Sequence, residues 1–333
     1  MITTTIQLYE ERPDVSLTTY VLADSPELLN GKRRPAVLIC PGGAYLNCSD
    51  REAEPVALRF AAMGYHAFVL RYSTYFKGKP GPFALPGNLE VNPNSVHEVN
   101  PNSVHPAPMR DIGKAFLSIR THADEWLVDM NKIALCGFSA GAHNCAMYAV
   151  NWQNAIIHEF FGEEPAAFKP AAAILGYGIS DYHLMFGEIK DPFAQQISDA
   201  AGIAYLGTTS PTQEMLDNVS PALHVTKNMP PTFLWATAAD ALVPVENTTR
   251  MANALARAGV PFEVHIFEAG PHGLSLADQA SAGSMFELDP DAAKWMGLVE
   301  AWLKKRFTLT LPPKPTWLVE IEANTNTDTE DVT

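Results

Sequence analysis

Clustered positive charge is what this 333-residue chain lacks: 23 Lys and Arg stand against 37 Asp and Glu, for a formal net charge of −14. Phosphate contacts need grouped Lys and Arg, so neither a nucleic-acid partner nor an anionic membrane surface is expected. No apolar run is long enough to span a bilayer, and residues Met1 to Arg12 show no basic start followed by an apolar core. A cytoplasmic protein without a membrane partner is the expectation. Cys40, Cys48, Cys136 and Cys145 have neither C-x-x-C nor zinc spacing, which favours free thiols over disulfides and gives no support to a metal. Phosphate-cradling loops of the Gly-x-Gly-x-x-Gly or Gly-Lys-Ser/Thr type are missing too.

What is present is ample apolar material. Hydrophobic residues make up 47% of the chain, which predicts one large α/β domain over residues 1–308. Thr3 to Tyr9 and Ser16 to Ala23 alternate apolar and polar residues, as antiparallel strands turning near Pro13-Asp14 would. Pro35 to Cys40 then reads as a buried strand, Arg51 to Met63 as a helix, Tyr65 to Tyr72 as a strand and Asp111 to Leu127 as a helix. Further strands are expected at Ala171 to Ile179, Thr232 to Ala238 and Pro261 to Glu268, with helices at Glu246 to Ala258 and Asp289 to Arg306. This alternation implies a mostly parallel sheet with helices on both faces and function at the strands' C-terminal edge.

Two segments break the rhythm. Residues 73–108 hold a tandem repeat, Glu90 to His97 followed at once by Glu98 to His105, and read as a duplicated loop or a rim over the site. Its two histidines have no other ligands converging on them, so a metal is not expected there. Residues 182–227 are irregularly helical and read as a small cap. Residues 309–333 form a tail whose acidic, Thr-rich end from Ala323 is expected to be disordered.

The chemistry centres on Lys132 to Ala146. Ile133 to Cys136 are strand-like and Ala140 to Val150 helix-friendly, so Gly137-Phe138-Ser139-Ala140-Gly141 must turn sharply between them. That pattern lifts the Ser139 hydroxyl above the sheet and aims the Ala140 N–H at the same spot. A serine nucleophile needs a histidine base and a carboxylate that fixes its tautomer. His265 lies inside a strand, whereas His272 follows one, between Pro271 and Gly273, and is the better base. Asp240 follows the strand Thr232 to Ala238 and is the expected acid; Glu246, its rival, opens the next helix and fits a first-turn role. His143 would ride one helical turn below Ser139 as a hydrogen-bonded structural residue. Pro41-Gly42-Gly43-Ala44-Tyr45 follows a buried strand, and its unhindered amides make Gly43, Ala44 and Ala140 the expected oxyanion donors. Tyr45 is a candidate wall of the acyl pocket.

With these motifs assembled, together with Leu70 to Ser73, Ser220-Pro221 and Val243-Pro244, the chain resembles α/β-hydrolases of the acetyl esterase and acetylxylan esterase group, near the hormone-sensitive-lipase-like and feruloyl esterases. The resemblance spans Pro35 to about Arg306. It implies an α/β-hydrolase with a small cap, free of cofactors, that hydrolyses short acyl esters on small molecules or oligosaccharides. Ala44 stands where a third glycine is common and Ala142 where glycine often follows the elbow. A feruloyl esterase and a prolyl-oligopeptidase-like peptidase are the alternatives, the latter disfavoured because no β-rich domain fits before residue 35. A non-catalytic ligand-binding relative is disfavoured because His272 is present.

Overall fold

Eight strands form one sheet among the described residues of the computed structural model, which are 1–77, 98–186, 192–309 and 311–322. The strands are β1 (Thr5–Gln7), β2 (Ser16–Tyr20), β3 (Arg34–Cys40), β4 (His66–Arg71), β5 (Val128–Phe138), β6 (Ala172–Gly176), β7 (Thr232–Thr237) and β8 (Phe262–Phe267). Their order is β1-β2-β4-β3-β5-β6-β7-β8; β1 and β2 pair antiparallel, and every pair from β4 to β8 is parallel. This is the α/β-hydrolase architecture, and it places the carboxyl ends of β3, β5, β7 and β8 along one edge.

The apolar strand runs are continuous because both faces are covered. Ala36, Leu38, Cys40, Ile133 and Leu135 face one core, while Val37, Ile39, Ala134, Cys136 and Phe138 face the other. A side chain flips face at each residue of a strand, so an apolar strand interior serves both layers. The helices are α1 (Glu54–Ala62), α2 (Ala107–Thr121), α3 (Ala140–Asn151), α4 (Ala155–Phe161), α5 (Pro192–Leu206), α6 (Gln213–Asn218), α7 (Glu246–Ala258) and α8 (Trp295–Lys304). Residues of α2, α3 and α7 fill the first core; α1 and α8 fill the second through Val56, Phe60, Trp295, Val299 and Trp302.

Three helices differ from expectation. The helix expected at Arg51 to Met63 is a 3-10 turn at Asp50–Glu52 followed by α1, which spans only Glu54–Ala62. α2 runs from Ala107 to Thr121 rather than Asp111 to Leu127, because Arg33 donates to the Ala123 and Val128 carbonyls and the Leu127 carbonyl accepts from the Arg34 amide. Those bonds turn the 123–128 backbone toward the start of β3, and Leu127 takes the left-handed region at φ 55°. The C-terminal helix begins with a 3-10 turn at Ala292–Lys294, and α8 itself spans only Trp295–Lys304. Residues 182–227 hold the 3-10 turn Tyr182–Met185, α5, α6 and a second 3-10 turn, Pro221–Leu223; the first turn and α5 line the space beside Ser139. The first repeat copy from Glu90 to His97 and the end from Ala323 lie outside the described residues, and no described helix is long and apolar enough to cross a membrane.

Candidate active site

β5 ends at Phe138 and α3 begins at Ala140, so Ser139 alone makes the turn, at φ 51° and ψ −122°. A non-glycine residue in that region is strained and must be held by its surroundings. The Ser139 amide donates to the Gly176 carbonyl at 3.0 Å, tying the turn to β6. A Cβ at Gly141 would lie 2.0 Å from the Cys40 carbonyl oxygen, so glycine there lets the start of α3 sit directly on the end of β3.

The structure brings Ser139, His272 and Asp240 into one line. His272 Nε2 lies 2.8 Å from Ser139 Oγ, and His272 Nδ1 lies 2.6 Å from Asp240 Oδ2. The other Asp240 oxygen accepts the Leu242 and Val243 amides, each at 2.9 Å. A carboxylate can only accept here, so Nδ1 carries the ring proton and Nε2 is left basic toward the serine hydroxyl. The Asp240 side chain is 1% exposed and that of His272 14%, so the carboxylate is shielded while an edge of the imidazole stays open to solvent. His265 instead bonds Glu263 on β8, and Glu246 heads α7.

Backbone direction makes the second half of the site. The Pro41 carbonyl accepts from the Tyr72 hydroxyl at 2.7 Å, and the Gly42 amide of the same peptide donates to Glu52 at 2.6 Å. The Gly42 carbonyl is taken by the Ser49 amide, and the Gly43 carbonyl by those of Leu46 and Asn47. Within a trans peptide the N–H points opposite to its C=O, so anchoring these two carbonyls turns the Gly43 and Ala44 amides the other way. Gly42 is already committed to Glu52, which leaves Gly43 and Ala44, with Ala140 at the start of α3, without an acceptor among the described residues. Gly43, Ala44 and Tyr45 all have positive φ, at 134°, 55° and 60°.

Tyr45 is what secures that run. Its ring stacks on Tyr205 of α5 with centroids 4.1 Å apart, and its hydroxyl meets His143 Nδ1 at 2.5 Å. His143 Nε2 donates to the Val219 carbonyl at 2.8 Å, so Nδ1 accepts from the tyrosine. The second repeat copy joins this nest: His105 Nδ1 lies 3.0 Å from the Tyr205 hydroxyl, and the Ser103 hydroxyl donates to the Ala204 carbonyl at 2.8 Å. Among the described residues no group of His, Cys, Asp and Glu could hold a metal, and the four cysteines are free thiols.

A narrow apolar cavity of about 40 Å³ opens beside Ser139, walled by Tyr45, Ile179, Met185, Ile197 and Val243 among others. Met185 and Ile197 come from the 182–227 segment, from a 3-10 turn and from α5, and no short motif in the sequence ties either to Ser139. A larger polar groove near Arg12 and Arg71 does not include Ser139.

Burial also sets an acid limit. Desolvation pushes His143 down to about 3 and His66 and His105 each to about 4. The unfolded imidazoles protonate near about 6.5, so above that pH neither state binds the proton and nothing is lost. As pH falls from about 6.5 toward about 4, the unfolded chain gains protons that the folded one refuses, and stability declines. Calorimetry should show Tm dropping over that window; a flat Tm would contradict the buried neutral histidines.

With the geometry in place, comparison with known proteins adds lineage. The BD-FAE family matches residues 91–255. Endo-1,4-beta-xylanase B of Butyrivibrio fibrisolvens is 30% identical over 246 residues, which are 74% of this chain but 33% of that protein. The chain spans between a third and about half of the length of the curated relatives it matches. Among solved structures, the carboxylesterase Cest-2923 from Lactobacillus plantarum WCFS1 is 26% identical, with a TM-score of 0.72 over 94% of this chain and 100% of that one. A second structure from the same strain reaches 30% identity over 92% of this chain and 98% of its own, with a TM-score of 0.63. An acetyl ester-xyloside bifunctional hydrolase from Caldicellulosiruptor lactoaceticus is 27% identical, with a TM-score of 0.67 over 91% of this chain and 96% of that one.

Proposed function

The chain belongs to the carboxylesterase family of α/β-hydrolases, and from that premise we propose that it removes short acyl groups, acetyl foremost, from carbohydrate esters through an acyl-enzyme on Ser139. The observation that carries the reading is the line Asp240, His272, Ser139, closed by bonds of 2.6 and 2.8 Å. His272 takes the Ser139 proton as the hydroxyl attacks the ester carbonyl. The Gly43, Ala44 and Ala140 amides receive the oxyanion. His272 then protonates the departing alcohol and activates water to release the acid, while Asp240 holds the imidazole in its tautomer.

The cavity argues for a short acyl group. Its volume of about 40 Å³ and its apolar walls suit an acyl chain of few carbons. A cavity of that size favours an acetyl over a feruloyl group. Sugar esters as the substrate class are supported by the xylan-related relatives, the xylanase and the acetyl ester-xyloside hydrolase.

The test is a rate series on p-nitrophenyl esters from acetate to decanoate, alongside acetylated xylo-oligosaccharides and methyl ferulate. Acetate should exceed hexanoate by at least about tenfold in kcat/KM, as a pocket short by several methylenes implies. Met185→Ala, which deepens the pocket, should move the optimum toward butyrate. Hexanoate or ferulate turning over as fast as acetate would overturn the acyl assignment.

A further inference from the structure

We propose that Glu52 is a positioning residue that locks the oxyanion loop and the His272 loop into one register; the inference rests on the catalytic assignment above. Glu52 is only 3% exposed, and the neighbouring Arg51 pairs with Glu287 rather than with it. A buried carboxylate without a compensating charge is costly, and an apolar residue of similar volume would serve packing better. What Glu52 offers is two acceptor oxygens pointing in different directions. Oε2 takes the Gly42 amide at 2.6 Å, and Oε1 takes the Tyr177 hydroxyl at 2.7 Å.

Tyr177 extends the connection to the base. Its hydroxyl oxygen accepts the Ser275 amide at 2.9 Å, and its ring stands edge-on to His272 with centroids 5.1 Å apart. Burial and the nearby Glu52 charge hold that phenol protonated, so it donates to the carboxylate. Arg51 grips the same loop from its own side: Nη1 donates to the Gly273 carbonyl at 2.9 Å, and the Arg51 carbonyl accepts the Ser275 hydroxyl at 2.7 Å. Two consecutive residues thus hold the segment just after His272 and, through Glu52, the peptide before Gly43.

The need for such a tie follows from strain. Ala44 and Tyr45 sit at φ 55° and 60°, and left-handed non-glycine residues relax unless surrounding bonds over-determine them. With the Tyr72 hydroxyl on the Pro41 carbonyl and Glu52 on the Gly42 amide, both ends of one peptide plane are fixed. Every downstream amide then inherits its direction. A glutamine at 52 has one acceptor oxygen and one donor amide, so with its oxygen on the Gly42 amide its NH₂ faces the Tyr177 oxygen and the phenol proton loses its acceptor.

The test uses Glu52→Gln and Tyr177→Phe in the full chain; the second keeps the ring beside His272 and remains informative if the first fails to fold. Readouts are kcat and KM for p-nitrophenyl acetate, Tm, and inhibition by a trifluoromethyl ketone, whose adduct with Ser139 carries an oxyanion. We expect kcat to fall about 100-fold in Glu52→Gln and about tenfold in Tyr177→Phe, on the scale of a lost oxyanion donor. KM should stay within about twofold, and ketone affinity should weaken by about the same factor as kcat/KM. Wild-type kcat in both variants, or a kcat loss with unchanged ketone affinity, overturns the positioning role. Turnover surviving in Ser139→Ala would take both assignments down, whereas an inactive Ser139→Ala beside fully active Glu52→Gln and Tyr177→Phe removes only this one.

Discussion

Ser139→Ala is expected to abolish hydrolysis of p-nitrophenyl acetate, with kcat down on the order of 10⁵–10⁶-fold. The change removes one oxygen whose hydrogen-bond partner is His272 Nε2, on the open side of the site. It leaves untouched the Ser139 amide bond to Gly176 that holds the turn, so circular dichroism and Tm should stay near wild type. Fluorophosphonate labelling should vanish with activity, because the phosphonyl group forms its bond to that hydroxyl oxygen. Residual labelling at wild-type rate would place the nucleophile elsewhere in the chain.

Asp240→Asn is the sharper test, because it preserves shape while reversing one hydrogen bond. The Leu242 and Val243 amides both donate to Oδ1, so an asparagine is held with its oxygen toward them and its NH₂ toward His272 Nδ1. Nδ1 must then accept, which moves the ring proton to Nε2, facing the Ser139 hydroxyl. An imidazole in that tautomer cannot take the serine proton, and kcat should fall about 10⁴-fold with KM nearly unchanged. A loss below about tenfold would mean that the carboxylate merely packs beside the imidazole.

Much of this arrangement is legible in the residues, and the reason is locality. A strand of small and apolar residues running into Gly-Phe-Ser-Ala-Gly, a histidine just past a strand end and an aspartate just past another are short-range patterns, and short-range patterns survive folding. α7 starts and stops where its first-turn acid and terminal glycine require, at Glu246 and Ala258. α4 carries no readable signal because it is only about two turns of bulky residues, too short to show a period. At the end of α2 the apolar spacing through Trp126 and Leu127 continues the helical pattern, while Arg33, some ninety residues away, decides the backbone there. Glu52 was invisible for a similar reason. Within Asp50-Arg51-Glu52-Ala53-Glu54 it looks like one more surface charge, and only the closed sheet shows that it faces inward.

The groups proposed to react sit far apart along the chain: Ser139 and His272 are separated by 133 positions, and the loop that carries Gly43 lies about a hundred positions before Ser139. No fragment owns them, and the left-handed turn at Ser139 has no local preference to sustain it. Ester turnover is therefore a gauge of the last stage of folding, reporting whether three distant edges have docked. Under mild denaturant the enzyme should fall silent while its helices still register in the far ultraviolet.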